Sequence, residues 1–448
     1  MLRRTMVKRN LCEIMKLWGQ IMKVIILVAV LLSFLIYTVH HTDDHSDSLK
    51  DMWLMEPSLS TSKLVQWQIS AAEWQAADKE LYDIRCSEIL QQDPREIGKT
   101  LKIRKKTIVD LTDEDVLLLT DDCPVFLETR KYFSKHVSAE ERDFPIAYSI
   151  VVHKNAASLE RLLRAIFVPQ NVYCVHVDAK SSATFKSAVQ SLAKCFDNVF
   201  VASKLEEVHY AHISRLQADI NCLADLLKSP VRWKYAINLC GQDFPLRSNR
   251  ELVSELTGLQ GRSMLETGKP SAYKQQRFTR KFVLARRDSS LLALQDTQTA
   301  LAPAPHGLQV FVGSAYFVLS REFVRFAMTS AVATDFLRWC ADTYSPDEHF
   351  WATLARAPQA PDGGGGGGGD VSDLQSKTRL VKWSYLEGRL YPACTGRHVR
   401  SVCIYGAAEL GWLLQDGHWF ANKFDPHVDP VVVKCLEQEI SSRQNARE

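Results

Sequence analysis

Residues 345–354 read Ser-Pro-Asp-Glu-His-Phe-Trp-Ala-Thr-Leu and place two carboxylates at the predicted start of a helix. Ser345 is suited to cap that helix, and Pro346 is suited to its first turn. Glu348 lies three residues after Ser345, and this spacing permits two interpretations. In a capping box, Glu348 accepts a hydrogen bond from the Ser345 amide. Alternatively, Glu348 points into a cleft and takes a proton from a substrate hydroxyl as a general base, because a helix N-terminus favours negative charge.

The composition limits the function classes that this carboxylate could serve. The chain has 448 residues, of which 46% are hydrophobic, enough for one large domain or two ordinary ones. A formal net charge of +3 with 24% charged residues provides no polybasic segment, so we predict no nucleic-acid partner. None of the eleven cysteines has the two-residue gap typical of zinc ligands.

An apolar run at residues 24–40 separates a basic segment from an acidic one. A cleaved signal peptide is one interpretation, but no small-x-small cleavage site follows the run. We therefore interpret 24–40 as a signal-anchor transmembrane helix, with a cytosolic tail at 1–23 and the rest of the chain in the lumen of the secretory pathway. The shortness of the run favours a thin secretory membrane over the plasma membrane.

The segments that follow predict a stem and a disulfide-bonded luminal domain. Residues 41–85 are polar and mixed, as expected of a stem, and a domain at 86–440 and a C-terminal tail at 441–448 come after it. Cysteines form disulfides in such an oxidising compartment, and Cys394 and Cys403 enclose a short loop that predicts a local bridge. Seven glycines at 363–369 lack the Lys-Ser/Thr of a phosphate loop, so they predict a flexible surface insert.

The elements that must position Glu348 begin at Phe144, where predicted strands and helices alternate. Strands are predicted at 146–152, 172–177, 198–202, 235–239 and 310–320, and helices at 183–194, 211–227, 321–330 and 333–341. This pattern predicts an α/β fold, in which ligands bind at the carboxyl ends of strands. Asp178 and Asp243 lie at such ends, and two interpretations stay open for each: a turn residue or a ligand. The acidic residues 113–115 follow no strand and predict a solvated helix start instead of a metal site.

Four longer motifs together resemble one enzyme family. They are Cys-Gly-Gln-Asp-Phe-Pro at 240–245, Ser-Pro-Asp-Glu-His-Phe-Trp-Ala-Thr at 345–353, His-Val-Arg-Ser-Val-Cys at 398–403 and Phe-Ala-Asn-Lys-Phe-Asp at 420–425. Residues 86–440 resemble the core 2 β-1,6-N-acetylglucosaminyltransferases, and segments 370–383 and 417–423 are most similar to the thymus-type subgroup, enzyme number three. The resemblance implies a GT-A-type nucleotide-sugar transferase fold with a central mixed sheet, anchored as a single-pass type II protein in the Golgi membrane.

The resemblance also assigns roles on the donor side. It makes Glu348 the catalytic base, and the positions that match the nucleotide-binding residues are Val151, His153, Asp178, Arg400 and Lys423. Arg400 and Lys423 would hold the diphosphate of UDP-N-acetylglucosamine where other transferases use a metal ion, since two fixed cations can neutralise it. The resemblance therefore implies that the enzyme needs no cofactor and no metal ion. As isolated residues, both cations would be read as ordinary surface charges.

On the acceptor side, the resemblance implies a second set of residues. The matching positions are Glu266, Lys274, Arg277, Trp383 and Tyr385. Lys274 and Arg277 are one helical turn apart and could face one ligand, or form an exposed basic turn. Trp383 and Tyr385 match an aromatic platform for a sugar ring, while core packing is their alternative role.

Family disulfides would join Cys86 to Cys435, Cys123 to Cys195, Cys174 to Cys222 and Cys394 to Cys403. Cys240 and Cys340 are then left unpaired. Two roles stay open for Cys340: a buried thiol, or a bridge between two chains that would make a homodimer.

The function implied is an inverting transfer of N-acetylglucosamine to the GalNAc 6-hydroxyl of Galβ1-3GalNAc-Ser/Thr on O-glycosylated glycoprotein acceptors. The alternatives are I-branching of poly-N-acetyllactosamine, core 4 branching, a non-catalytic luminal glycan-binding protein, and a related peptide O-xylosyltransferase. The set Glu266, Lys274 and Arg277 disfavours the last of these.

Overall fold

The structure is a computed structural model that describes residues 83–105, 111–286, 292–361 and 369–446. The predicted cytosolic tail, the signal anchor, nearly all of the stem and six of the seven glycines lie outside these ranges. Among the helices described, none has the length and apolar character needed to cross a membrane.

Thirteen strands are found in the described residues. They are β1 (Ile146–Val152), β2 (Val172–Val177), β3 (Val199–Val201), β4 (Tyr235–Cys240), β5 (Asp243–Pro245), β6 (Met264–Leu265), β7 (Arg280–Arg286), β8 (Leu292–Ala300), β9 (Phe317–Ser320), β10 (Leu380–Val381), β11 (Arg397–Val399), β12 (Val402–Ile404) and β13 (Phe420–Asn422).

The α-helices surround the strands. They are α1 (Cys86–Leu90), α2 (Pro94–Ile103), α3 (Asp113–Leu119), α4 (Cys123–Thr129), α5 (Ala139–Asp143), α6 (Ala156–Ile166), α7 (Ala183–Lys194), α8 (Ile213–Lys228), α9 (Asn249–Thr257), α10 (Ala272–Thr279), α11 (Arg321–Thr329), α12 (Ala331–Cys340), α13 (Phe350–Leu354), α14 (Asp373–Ser376), α15 (Leu410–Gln415) and α16 (Pro430–Asn445). Four 3₁₀ turns add to them: Pro305–Gly307, Pro346–Glu348, Ser384–Leu386 and Ala407–Glu409.

A six-stranded mixed sheet in the order β3-β2-β1-β4-β9-β6 forms the centre of the domain. Strands β3, β2, β1 and β4 are parallel, whereas β9 runs antiparallel to both β4 and β6. Parallel strands are buried on both faces, and every residue of β1 and β2 is buried. The predicted α/β fold with a central mixed sheet is confirmed.

Alternate residues of the central strands enter two separate cores. Tyr148 and Ile150 pack in the core that contains α6, whereas Ala147 packs in the core that contains α8 and α11. Side chains of successive strand residues point to opposite faces, so each strand contributes to both cores. Helices therefore cover the sheet on both sides, and the carboxyl ends of the parallel strands meet at one edge.

Several predicted boundaries shift by one or two residues, and two differ by more. The strand predicted at 310–320 is shorter, because only Phe317–Ser320 pairs in the central sheet and Val312 forms an isolated bridge with Gly268. The predicted tail at 441–448 begins inside α16, which continues to Asn445. The Gln444 amide in this last part donates hydrogen bonds to the His136 carbonyl (2.7 Å) and to the Glu141 carboxylate (2.9 Å), so the domain extends beyond residue 440.

Three of the four predicted disulfides are present: Cys86–Cys435, Cys123–Cys195 and Cys394–Cys403. The prediction of a Cys174–Cys222 bond is wrong in this structure, where both are buried free thiols and the Cys222 Sγ contacts the Cys174 carbonyl at 3.5 Å. Burial raises the pKa of Cys174 and a hydrogen bond with the Cys222 side chain adds to this effect, so the two thiols also interact with each other, but no covalent bond joins the sulfurs.

Cys240 and Cys340 are both unpaired, as predicted. Cys340 is fully buried at the end of α12, so the structure supports the buried thiol and leaves this sulfur no access to a second chain.

Candidate active site

Glu348 lies in a 3₁₀ turn instead of a capped α-helix. Ser345 has a left-handed backbone (φ +49°), its side chain makes no capping hydrogen bond, and its amide donates to the Ala211 carbonyl at 2.8 Å. In a capping box the Ser345 amide would donate to the Glu348 carboxylate and the Ser345 hydroxyl would accept the Glu348 amide, and neither bond is present. The capping interpretation is therefore wrong, and the Glu348 carboxylate is available for another role.

The carboxylate of Glu348 forms an ion pair with the Arg277 guanidinium, which projects from α10. Arg277 is fixed in turn by Tyr344: its Cζ lies 5.7 Å from the Tyr344 ring centroid, and its carbonyl accepts the Tyr344 amide at 2.8 Å. The Glu348 side chain remains one-third exposed. A partly exposed carboxylate held in one orientation by a cation can meet a substrate hydroxyl.

Gly313 brings the backbone of Glu266 next to that of Glu348. Its amide donates to the Glu348 carbonyl at 2.8 Å, and a Cβ built on Gly313 would lie 2.0 Å from the Glu266 carbonyl oxygen. Only glycine permits so close an approach of two backbones. The predicted acceptor ligand Glu266 and the predicted base Glu348 are thus neighbours across Gly313.

The electrostatic surroundings of Glu266 place other predicted residues beside it. Burial raises the pKa of Glu266 to about 7, and the negative charges of Asp373 and Glu348 act in the same direction, whereas Lys274 opposes them. Such mutual influence requires short separations in a half-buried site. The structure therefore brings Glu266, Lys274, Arg277 and Glu348 into one cluster.

Trp383 and Tyr385 border this cluster as a stacked pair, with ring centroids 5.8 Å apart. Tyr385 is 66% exposed, which excludes core packing as its role. Burial of part of its ring raises the pKa of Tyr385, and the charges of Asp373, Glu266 and Glu348 add to this effect. An exposed ring beside a carboxylate cluster has the geometry of a sugar-binding platform.

Arg356 ties three parts of the acceptor side together. Its guanidinium donates to the Thr267 carbonyl (3.3 Å), to the Gly369 carbonyl (2.7 Å) and to the Asp370 carboxylate (3.1 Å). Thr267 also donates its hydroxyl to the Ala352 carbonyl at 3.0 Å. The segment carrying Glu266, the chain after the glycine insert and the helix after Glu348 are therefore fixed to one another.

Asp373 is a site residue that the sequence analysis missed. Burial raises its pKa to about 6, and the positive charges of His418 and Lys274 oppose this effect. It lies at the start of α14, next to Val371, whose amide donates to the Thr267 carbonyl at 2.8 Å. Asp373 lies in the motif at 370–383, which could have identified it, but the resemblance assigned a role only to Trp383 at the aromatic end of that motif.

On the donor side, two predicted residues lie at adjacent ends of parallel strands. His153 follows β1, and Asp178 follows β2, where its amide donates to the Val152 carbonyl at 2.9 Å. The Asp178 carboxylate pairs with the Lys180 ammonium (3.1 Å) and accepts the Lys180 amide (2.9 Å). Val151 is buried in β1. The Asp178 carboxylate thus already has an internal cation.

Arg400 lies in the β11–β12 turn with a left-handed backbone (φ +52°) and an exposed side chain. Its Cζ lies 5.5 Å from the ring centroid of Tyr210, a residue that is 76% exposed. Tyr210 in turn interacts with Tyr344, which contacts Arg277. A continuous row of side chains therefore connects the predicted diphosphate ligand Arg400 with Glu348.

Lys423 directly follows β13, and its carbonyl accepts the Tyr405 amide at 3.0 Å. The preceding Asn422 donates its side-chain amide to the Asp243 carboxylate at 2.8 Å. Asp243 is buried, accepts the Cys240 amide at 2.6 Å and pairs with Arg379 at 3.4 Å. Asp243 is thus a turn residue that fixes the strand before Lys423, and its ligand alternative is not supported.

The described residues include two groups of side chains that could be metal ligands. Two groups have suitable spacing, Glu387-Cys394-His398 and Cys394-Cys403-Glu409, but both need Cys394, whose sulfur is in a disulfide. In the acidic segment 113–115, Asp115 and Thr112 form a capping box at the start of α3, and the Asp113 carboxylate accepts the Ala156 amide at 2.8 Å. The predicted helix start is confirmed.

Comparisons with known proteins place the chain in a family. The family model described as Core-2/I-Branching enzyme matches residues 146–414. A mouse β-1,3-galactosyl-O-glycosyl-glycoprotein β-1,6-N-acetylglucosaminyltransferase 4 is 57% identical over 88% of this chain and 86% of its own. A human enzyme with the same name but no number is 45% identical over 80% of this chain and 85% of its own. The sheep enzyme numbered 3 is 46% identical over 79% of this chain and 81% of its own.

These identities are higher for the enzyme numbered 4 than for the one numbered 3, so they do not favour the predicted likeness to the thymus-type subgroup. A solved CMP:2-keto-3-deoxy-manno-octonic acid synthetase complexed with CTP matches 43% of this chain and 81% of its own, at 12% identity. Its TM-score of 0.21 is too low to bear on the fold.

The prediction of an enzyme of the β-1,6-N-acetylglucosaminyltransferase class is confirmed by the relatives, which cover most of the chain. From its match over 146–414 and its identity to these enzymes, this chain belongs to the Core-2/I-Branching enzyme family.

Proposed function

We propose that this protein transfers N-acetylglucosamine from UDP-N-acetylglucosamine, in β-1,6 linkage, to the GalNAc of Galβ1-3GalNAc-Ser/Thr. The observation that carries the proposal is the position of Glu348. Its carboxylate takes no part in a capping box, is one-third exposed, pairs with Arg277 and belongs to a backbone segment next to that of Glu266. The relatives named above are β-1,6-N-acetylglucosaminyltransferases of β-1,3-galactosyl-O-glycosyl-glycoproteins. The domain would be a GT-A-type transferase with its nucleotide at the carboxyl ends of β1 and β2.

The reaction is a single inverting displacement. Glu348 accepts the proton of the acceptor 6-hydroxyl while that oxygen forms a bond to the anomeric carbon, and the bond from this carbon to the diphosphate oxygen breaks. Such a step needs one base and a stabilised leaving group, and it needs no protein nucleophile. Glu266, Lys274 and Arg277 would orient the acceptor, and the Trp383–Tyr385 pair would support a sugar ring.

The leaving UDP would be held by Arg400 and Lys423 without a divalent metal. Two side-chain cations supply charge-assisted hydrogen bonds to a diphosphate, and the Arg400 fork matches phosphate geometry. The pairing of Asp178 with Lys180 supports this proposal, because that strand-end carboxylate already has its positive partner.

Loss of either cation should weaken donor binding. We expect Arg400→Ala and Lys423→Ala each to raise the donor KM by about 10- to 100-fold, because a hydrogen bond to a charged group contributes about 1.5–3 kcal/mol. Arg397→Ala is the matched control, since Arg397 is an exposed arginine of the same loop. An unchanged donor KM in both variants would remove the clamp from the proposal.

We place the enzyme in the Golgi membrane as a single-pass type II protein with a luminal catalytic domain, on the basis of the apolar run at 24–40. Its partners would be glycoproteins that carry Ser/Thr-linked acceptors. Protease protection of the catalytic domain in sealed microsomes tests this orientation, and digestion of that domain without detergent would contradict it.

An acceptor panel with purified protein, UDP-N-acetylglucosamine and a metal chelator tests the reaction. We expect transfer to Galβ1-3GalNAc with the chelator present. Preferred transfer to core 3 or to poly-N-acetyllactosamine would indicate the core 4 or I-branching alternatives. Glycan binding without UDP release would indicate a non-catalytic protein.

A further inference from the structure

A surface cavity of about 530 Å³ lies beside the helix that carries Lys274 and Arg277. Most of the residues that line it are apolar, and they include prolines and aromatic rings. The lining residues that matter here are Lys269, Pro270, Gln275, Phe278, Ala302 and Trp339. Lys269, Gln275 and Ala302 are exposed, so the cavity opens to solvent.

The cavity and the acceptor side of the active site are formed by neighbouring residues of the same segments. Lys269 comes three residues after Glu266, and Phe278 directly follows Arg277 on α10. The rings of Phe278 and Trp339 lie 5.6 Å and 6.5 Å from the ring of His349, the residue after Glu348. One wall of the cavity therefore backs onto the catalytic turn.

The geometry of the proposed reaction requires a polypeptide nearby. This step rests on the proposed function: the GalNAc whose 6-hydroxyl meets Glu348 is joined, at its anomeric carbon, to a serine or threonine. The polypeptide must therefore pass within one sugar ring of Glu348. The cavity begins less than one helical turn, about 5.4 Å, from Arg277 along α10.

We infer that this cavity binds the polypeptide of the acceptor, as an extended segment rich in proline, serine and threonine. O-glycosylated stalks have this composition, and proline-rich chains adopt a polyproline II helix. Such helices dock in grooves lined by aromatic rings. The Trp339 indole already donates to the Ala302 carbonyl at 2.8 Å, so the ring offers its apolar face.

The polar groups at the rim fit the same ligand. A polyproline II helix has no internal hydrogen bonds, so its carbonyls need donors from water or from a partner. The exposed ammonium of Lys269 and the side-chain amide of Gln275 are donors at the cavity edge. The site would therefore favour a glycopeptide over the same disaccharide on a small aglycone.

The test compares two acceptors: a Pro/Ser/Thr-rich peptide carrying one Galβ1-3GalNAc, and the same disaccharide as a benzyl glycoside. We expect the wild-type KM to be about tenfold lower for the glycopeptide. Ala302→Trp, which fills the cavity, should raise the glycopeptide KM about tenfold and leave the benzyl glycoside unchanged. Ala331→Trp is the matched control, because Ala331 is exposed at the start of α12 and does not line the cavity.

Lys269→Ala provides a second variant that adds no bulk, and a several-fold rise of the glycopeptide KM alone is expected. Equal KM values for the two acceptors in the wild type, or equal effects of Ala302→Trp on both, would overturn the inference. No transfer to either acceptor would contradict the proposed function itself, so the two failures are distinguishable.

Discussion

Glu266 is a carboxyl group whose protonation changes near neutral pH. Burial raises its pKa to about 7 from an ordinary value of 4.5, with Asp373 and Glu348 adding to the effect. An acid with a raised pKa is neutral below that value and ionised above it. Because sugar hydroxyls donate hydrogen bonds to carboxylates, the ionised form should bind the acceptor better.

We therefore expect kcat/KM for the acceptor to rise about tenfold between pH 6 and pH 8, with a midpoint near 7. In Glu266→Gln this rise should be absent and kcat/KM should stay low. Asp373→Asn removes a negative charge that raises the Glu266 pKa, so it should move the midpoint to lower pH. A pH profile that is the same in wild type and Glu266→Gln would assign the transition to another group.

At the residue scale, the residues able to do the chemistry were predictable from the sequence, but which of two roles each of them has was not. The spacing of Ser345 and Glu348 permits a capping box, but in the structure Ser345 is left-handed and its amide is bonded to the Ala211 carbonyl. That contact joins residues more than a hundred positions apart. Resemblance to a family favoured the general-base alternative over the capping box, and the catalytic role of Glu348 stays a prediction.

At the scale of elements, the short connection around Gly313 positions both carboxylates. Val312 pairs with Gly268, and the next amide donates to the Glu348 carbonyl. The connection is therefore held between the segment of Glu266 and the turn of Glu348. Its glycine is needed because the Glu266 carbonyl oxygen would lie 2.0 Å from a Cβ.

We expect Gly313→Ala to lower kcat/KM by about 100-fold, since the two backbones must separate and a shift of about 1 Å in a catalytic group can cost this much. Gly98→Ala is the control, because a Cβ at Gly98 meets nothing within 4 Å in helix α2. Steady-state kinetics of both variants check this. Full activity in Gly313→Ala would show that the spacing of the carboxylates is not critical.

Regular elements were predictable where one period dominates. Strands β1 and β2 and helix α7 have the predicted bounds, because their apolar residues follow a single pattern and both strands are buried on both faces. The strand predicted at 310–320 is longer than the observed one, because apolar residues lie on both sides of Gly313. Its first half pairs with loop residues instead of the sheet, and periodicity contains no information on the partner.

At the scale of the whole molecule, Cys86–Cys435 joins α1 to α16 across a sequence separation of 349. Closing a loop of this length restricts the unfolded chain strongly, and the chain-entropy model gives a stabilisation of about 6 kcal/mol. Cys394–Cys403 spans only 9 residues and should contribute less.

The double variant Cys86→Ser/Cys435→Ser should therefore lose about 6 kcal/mol of unfolding free energy in chemical denaturation, against about 2–3 kcal/mol for Cys394→Ser/Cys403→Ser. Kinetics should show the opposite order, because Arg400 lies three residues from Cys403, whereas Lys423, the predicted donor residue nearest to the long bond in sequence, lies 12 residues from Cys435. A donor KM that rises more in the first variant than in the second would contradict this division.

The central claim is that Glu348 takes the proton from the acceptor while side-chain cations hold the departing UDP. It is tested by the transfer rate of Glu348→Gln and wild type, both in excess chelator, with UDP affinity measured by calorimetry on the same samples. We predict wild-type turnover with chelator present, a loss of about a thousandfold in Glu348→Gln, and equal UDP affinity in the two proteins. Turnover that survives in Glu348→Gln, or that vanishes in wild type until a metal ion is returned, would contradict the claim.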